Sequence, residues 1–147
     1  MAWNREFHDA GSFGSGGSSH TAVLTSSPSA GELIVFIISM EQTINAGAGT
    51  FAVSDDSAGA TSYTIHQYHD QASDADAGGC VATKIANGDE TEITVSYTGG
   101  NSKGGWAVVY YSGLDSTPVD GSAENTTDVG TTVTSNTSPS VTPSAQP

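Results

Sequence analysis

Asp70, Asp74 and Asp76 crowd into one short segment and supply the hard carboxylate oxygens that Ca²⁺ prefers, with Asp55 and Asp56 as further donors upstream. The twelve-residue calcium loop of an EF-hand also needs a glycine at its sharp turn and a bidentate glutamate at its end, and neither stands at the right offset. A solvated acidic loop is therefore the expected state of this segment, and no bound metal is expected. His66 and His69 lie three positions apart beside Asp70. On a strand, positions 66 and 69 face opposite sides, so a shared metal ion is geometrically awkward.

Catalytic patterns are missing in the same way. Serine is abundant, yet no Gly-x-Ser-x-Gly elbow stands between a strand and a helix; Gly14-Ser15-Gly16 lies in a Gly/Ser-rich run instead. Pairs of carboxylates can be drawn among the aspartates, but none has the apolar surroundings that would raise a pKa for acid catalysis. The glycine-rich runs do not lead through Lys-Ser/Thr into a helix, so a phosphate cradle is not expected either. The sequence reads as that of a protein without catalytic or cofactor-binding residues. The remaining chemistry belongs to aromatic faces. Trp3, Tyr68, Tyr110 and Tyr111 are the candidates for contact with a partner or for stacking on sugar rings, while Trp106 is expected in the core. Tyr110 and Tyr111 are adjacent in a strand pattern and must point to opposite faces, so one of them is expected outside.

Charge narrows the partners. Sixteen acidic residues against Arg5, Lys84 and Lys103 give a net charge of −13 over 147 residues. Nucleic acids and anionic bilayers bind through Lys/Arg neutralisation, so both are poor partners for this chain. Strong acidity also keeps a protein displayed in many copies soluble. Cys80 stands alone, which excludes an intrachain disulfide and a four-thiolate metal site, and it is expected as a small buried apolar residue. The N-terminus lacks the apolar core of a signal peptide, and no run reaches the length of a membrane helix, so synthesis in a cytoplasm is expected.

The elements that would position these residues are strands. Six consecutive apolar residues, Leu33-Ile34-Val35-Phe36-Ile37-Ile38, predict a central strand buried on both faces. Residues 62–68 alternate, with Tyr63 and Ile65 on one face and Thr64 and His66 on the other. Residues 92–97 are the cleanest alternation, with Ile93, Val95 and Tyr97 inward. Further strands are expected at 21–25, 50–53, 81–86, 105–112 and 131–135, separated by turn signals such as Asn87-Gly88-Asp89. About eight strands in an antiparallel β-sandwich of jelly-roll type is the expected fold class. The domain reading is a flexible N-terminal arm over 1–20, the sandwich over 21–121, and an extended Ser/Thr/Pro-rich tail over 122–147 with room for one edge strand.

Several of these pieces are co-linear with a known pattern. Ala30-Gly31-Glu32-Leu33-Ile34-Val35, then Val53-Ser54-Asp55 through Gly59 and Tyr63-Thr64, Gly88-Asp89-Glu90 through Ile93-Thr94-Val95, and Val109-Tyr110-Tyr111-Ser112-Gly113-Leu114 with Pro118-Val119-Asp120 follow in order. Over residues 22–121 the set resembles a recurrent jelly-roll module of phage virion proteins, including decoration and tail-fibre proteins, and of bacterial surface proteins. The resemblance implies a display or recognition role and a virion surface location. Capsid decoration is the leading expectation, with the major capsid protein or the tail as partner and a homo-oligomeric assembly. A tail-fibre or adhesion module binding host glycans, or a carbohydrate-binding appendage of a secreted enzyme, are the alternatives. Residues 142–147 echo part of 25–33, which suits either a short version completed by a neighbouring subunit or a piece of something longer.

Overall fold

A computed structural model describes residues 4–14, 16–42, 51–69, 77–97 and 102–114. The described residues form eight strands and no helix: β1 (Asn4–Phe13), β2 (Ser19–Val23), β3 (Leu33–Gln42), β4 (Phe51–Asp55), β5 (Thr64–His69), β6 (Ala77–Ile85), β7 (Glu92–Tyr97) and β8 (Ser102–Ser112). All pairings are antiparallel, in a five-stranded sheet ordered β1-β8-β3-β6-β5 and a three-stranded sheet ordered β2-β7-β4. Their inner faces share one core, so the fold is a β-sandwich-like all-β architecture.

Strand parity builds that core. In the five-stranded sheet, the register places Tyr110 beside Ile34, Phe36 between Val108 and Ala82, and Ile38 between Cys80 and Trp106. The three-stranded sheet answers with Ala22, Ile93, Val95, Tyr97, Phe51 and Val53. The inward set read from residues 92–97 is the observed one. Trp106 packs against this core beside Phe36, with ring centroids 6.1 Å apart. Gly11 makes room for it, because a Cβ at that position would sit 2.8 Å from the indole.

Three expectations change. Strand β3 is central, flanked by β6 and β8, but it is not buried on both faces. Ile34, Phe36 and Ile38 point inward, whereas Ile37 is 44% exposed on the outer face of the sheet. An unbroken apolar run carries no alternation from which the inner face could be read. Second, the segment read as a flexible N-terminal arm contains β1, a ten-residue edge strand paired along β8, and the start of β2. Its Gly, Ser and charged residues suit an edge position, where one flank faces water and charges discourage stray pairing. Third, Tyr110 is a core residue, 1% exposed, whose hydroxyl donates to the Ser26 carbonyl at 3.0 Å. The strand expected at 131–135, and the tail as a whole, lie outside the described residues.

Candidate functional site

The two sheets bring charged residues together inside one end of the sandwich. Inward parity along β6 runs Cys80, Ala82, Lys84, and Lys84 pairs in register with the buried Ile34. On β4 it runs Phe51, Val53, Asp55, and Asp55 pairs with the buried Ile93. Lys84 therefore reaches inward from one sheet and Asp55 from the other. The Lys84 Nζ lies 2.5 Å from Asp55 Oδ2 and 2.9 Å from Glu90 Oε1, with both carboxylates fully buried and the lysine side chain 5% exposed. It also donates to Ser57 Oγ at 3.0 Å and sits 5.7 Å from the centre of the Tyr63 ring.

Two loops hold this arrangement. In the β6–β7 loop, the backbone N–H groups of Asn87 and Gly88 donate to the two oxygens of Glu90 at 2.6 and 2.9 Å. Gly88 has a φ of 98°, a left-handed conformation that favours glycine. In the β4–β5 loop, the N–H and hydroxyl of Ser57 both donate to Asp55 Oδ1, at 3.1 and 2.6 Å. Side chains then lace the loops to each other. Asn87 Nδ2 donates to Ser57 Oγ and the Ala60 carbonyl, and Asp89 accepts from the Ala58 N–H at 3.0 Å. Asp56 accepts from the N–H groups of Thr91 and Glu92 and from the Thr91 hydroxyl.

The electrostatics follow the geometry. Burial works against the charged form of Lys84, but hydrogen bonds and proximity to Asp55 and Glu90 outweigh it and hold its pKa above the ordinary value. Burial likewise raises the Glu90 carboxyl, and the backbone donors of its loop together with Lys84 more than reverse this, leaving it lowered. Asp56 is exposed, and its hydrogen bonds to Thr91 bring it down to about 2. The buried Tyr63 hydroxyl has no hydrogen-bond partner among the described residues, and desolvation beside Asp55 pushes its pKa up.

The opposite end is closed by rings. Phe13 stacks on His20 at 4.9 Å between centroids, His20 on Tyr97 at 6.2 Å, and Phe51 tilts against Tyr97 at 6.2 Å. Tyr97 donates its hydroxyl to the Gly17 carbonyl at 2.5 Å.

The outer faces of the sandwich differ too. On the five-stranded sheet, Ile37 lies between Val81 and Ala107, Val35 between Thr83 and Val109, and Leu33 between Ile85 and Tyr111. Ile37 and Ile85 are each 44% exposed there. The three-stranded sheet turns Thr21, Val23, Glu92 and Thr94 outward, with the Thr21 and Thr94 hydroxyls 3.0 Å apart.

The candidates read from sequence scatter. Tyr111 is half-buried on the outer face of the five-stranded sheet, while Tyr110 belongs to the core. Asp70, Asp74, Asp76 and Trp3 lie outside the described residues, as do the side chains of Tyr68 and His69. His66 approaches Thr83 Oγ1 at 2.5 Å, beside an irregularity in the β5–β6 register. Among the described residues, no group of three His, Cys, Asp or Glu is placed to hold a metal ion. Cys80 is buried, and desolvation pushes its thiol up to about 12. The Lys84, Asp55 and Glu90 cluster was not singled out by motif, although continuing the inward parity of Val53 to Asp55 and of Ala82 to Lys84 points to it. Comparison with known proteins returned no matching family model, no matching curated protein and no matching solved structure.

Proposed function

We propose that this chain is a non-catalytic display module of jelly-roll type that serves as a phage virion structural protein, in its most specific form a capsid decoration protein seated on the outside of the shell. The observation that carries this reading is the asymmetry of the two outer faces. A sheet surface of Ile37, Val35, Val81, Val109 and Ile85 is what a docking partner would cover, whereas the opposite face, in its described residues, sets a single large exposed apolar side chain, Val23, among Thr21, Thr94 and Glu92. The jelly-roll form is supported by nested pairing: first strand with last, second with seventh, third with sixth, as when a long hairpin is rolled into two sheets. The co-linear resemblance over residues 22–121 supports the virion setting, and the net charge of −13 suits dense display.

The alternative, a tail-fibre or adhesion module for host glycans, draws on Tyr111 as the described aromatic residue at the surface. Immunogold electron microscopy of particles from a producing culture separates the two. Label distributed over the shell supports decoration, and label confined to the tail with specific glycan-array binding supports adhesion. Protein found only as a monomer outside any particle overturns both.

A further inference from the structure

We propose that Lys84 and Asp55 become joined by an intramolecular amide bond, formed by the folded chain itself with Glu90 as the proton-transfer group. The starting point is an awkward charge balance. One ammonium and two carboxylates are enclosed with almost no exposure, leaving a net negative charge in the interior. Such groups are costly to bury even when paired. Condensation of Lys84 with Asp55 would remove one charge of each sign from that interior and leave Glu90 held by its backbone donors.

The geometry brings the three groups of an acyl transfer together. Nζ lies 2.5 Å from Asp55 Oδ2, so the nucleophile and the carboxyl group are already in contact, and attack needs only a rotation that carries Nζ from the oxygen over the carbon. The other oxygen, Oδ1, receives the N–H and hydroxyl of Ser57, two donors placed where negative charge develops as the carbon becomes tetrahedral. Glu90 Oε1 stands 2.9 Å from the same Nζ. It is fixed there by Asn87 and Gly88.

The steps balance without an external reagent. Attack proceeds through the minor neutral form of the pair, reached against the favoured charged state when a proton passes from the Lys84 ammonium to Asp55 and gives a neutral amine and a neutral acid. The amine lone pair attacks Cγ and the Nζ–Cγ bond forms, while Glu90 takes a proton from Nζ. Glu90 returns that proton to the Oδ2 hydroxyl as the Cγ–Oδ2 bond breaks, and one water leaves. The product staples the end of β4 to β6, and so joins the two sheets covalently in a chain whose only cysteine is Cys80.

Intact-mass measurement of the denatured full chain, followed by trypsin digestion, tests this. The expected result is a mass one water below that of the sequence, with no cleavage after Lys84, because an acylated lysine is not a trypsin site. A linked fragment covering 6–103 then replaces separate fragments 6–84 and 85–103. Lys84→Arg and Asp55→Ala are expected to abolish the deficit, and Glu90→Gln to slow or abolish it. Full sequence mass with normal cleavage after Lys84 overturns the proposal, as does a deficit mapped elsewhere. A deficit that survives Asp55→Ala overturns the assignment to Asp55, and one that forms unchanged in Glu90→Gln overturns the role of Glu90.

Discussion

The two ends of this sandwich solve the same problem with opposite chemistry. One end is closed by the rings of Phe13, His20, Tyr97 and Phe51, whose polar atoms are few: the Tyr97 hydroxyl bonds to Gly17, and the buried His20 Nε2 has no partner among the described residues. The other is closed by Lys84, Asp55, Glu90, Ser57 and Asn87, each satisfied only because the others are present. A ring can be trimmed and the surroundings partly collapse. A charge removed from the second cluster strands its partner without water. The polar end is therefore expected to be the more brittle one, and the more responsive to pH.

The comparison breaks most visibly at Lys84. Measured against the ion-paired form, Lys84→Ala leaves two buried carboxylates unopposed and is expected to cost about 3–5 kcal/mol, the range for breaking a buried ion pair, read from chemical denaturation; a parent carrying the amide would lose the cross-link as well. An effect below that of a ring-end truncation would refute the brittleness argument. At the other end, Tyr97→Phe keeps the ring and loses one hydrogen bond to Gly17, with an expected cost of about 1 kcal/mol in the same assay.

Acid titration sharpens the contrast. Asp56 has a folded pKa of about 2 against an ordinary 3.8, so it binds protons more weakly when folded. Its contribution is present above about pH 4 and is lost as pH falls through about 2. Thermal melts over that window are expected to fall more steeply for the parent than for Asp56→Asn, and parallel slopes would remove Asp56 from the account. The smallest stability effect is expected on the outer face, where Ile37→Thr should change unfolding free energy by no more than about 0.5 kcal/mol. The same substitution is expected to weaken attachment to particles in a co-sedimentation assay, and unchanged attachment would count against the docking face.

Legibility in the sequence followed the same physical lines. Strand β7 was readable because Ile93, Val95 and Tyr97 alternate strictly with polar residues and a Asn87-Gly88 turn precedes them. The inner face of β3 was hidden because every residue from 33 to 38 is apolar, and only pairing with β6 and β8 decides which side is covered. Strand β1 was masked by its own edge position, since its stability comes from β8, a partner about a hundred residues away, rather than from local propensity. The buried cluster was missed for a different reason. Asp55-Asp56 looks like turn punctuation, and only the last inward position of β4 turns the first of the two carboxylates into the interior.

Pairing of β1 with β8 also decides how this protein can be attached to anything. Asn4 sits directly opposite Ser112, so the described chain enters and leaves at neighbouring points beside the polar end. A short affinity tag placed directly ahead of Asn4 and a second placed directly after Ser112 would therefore depart from adjacent rungs of one strand pair, close enough for a single bivalent reagent to grip both.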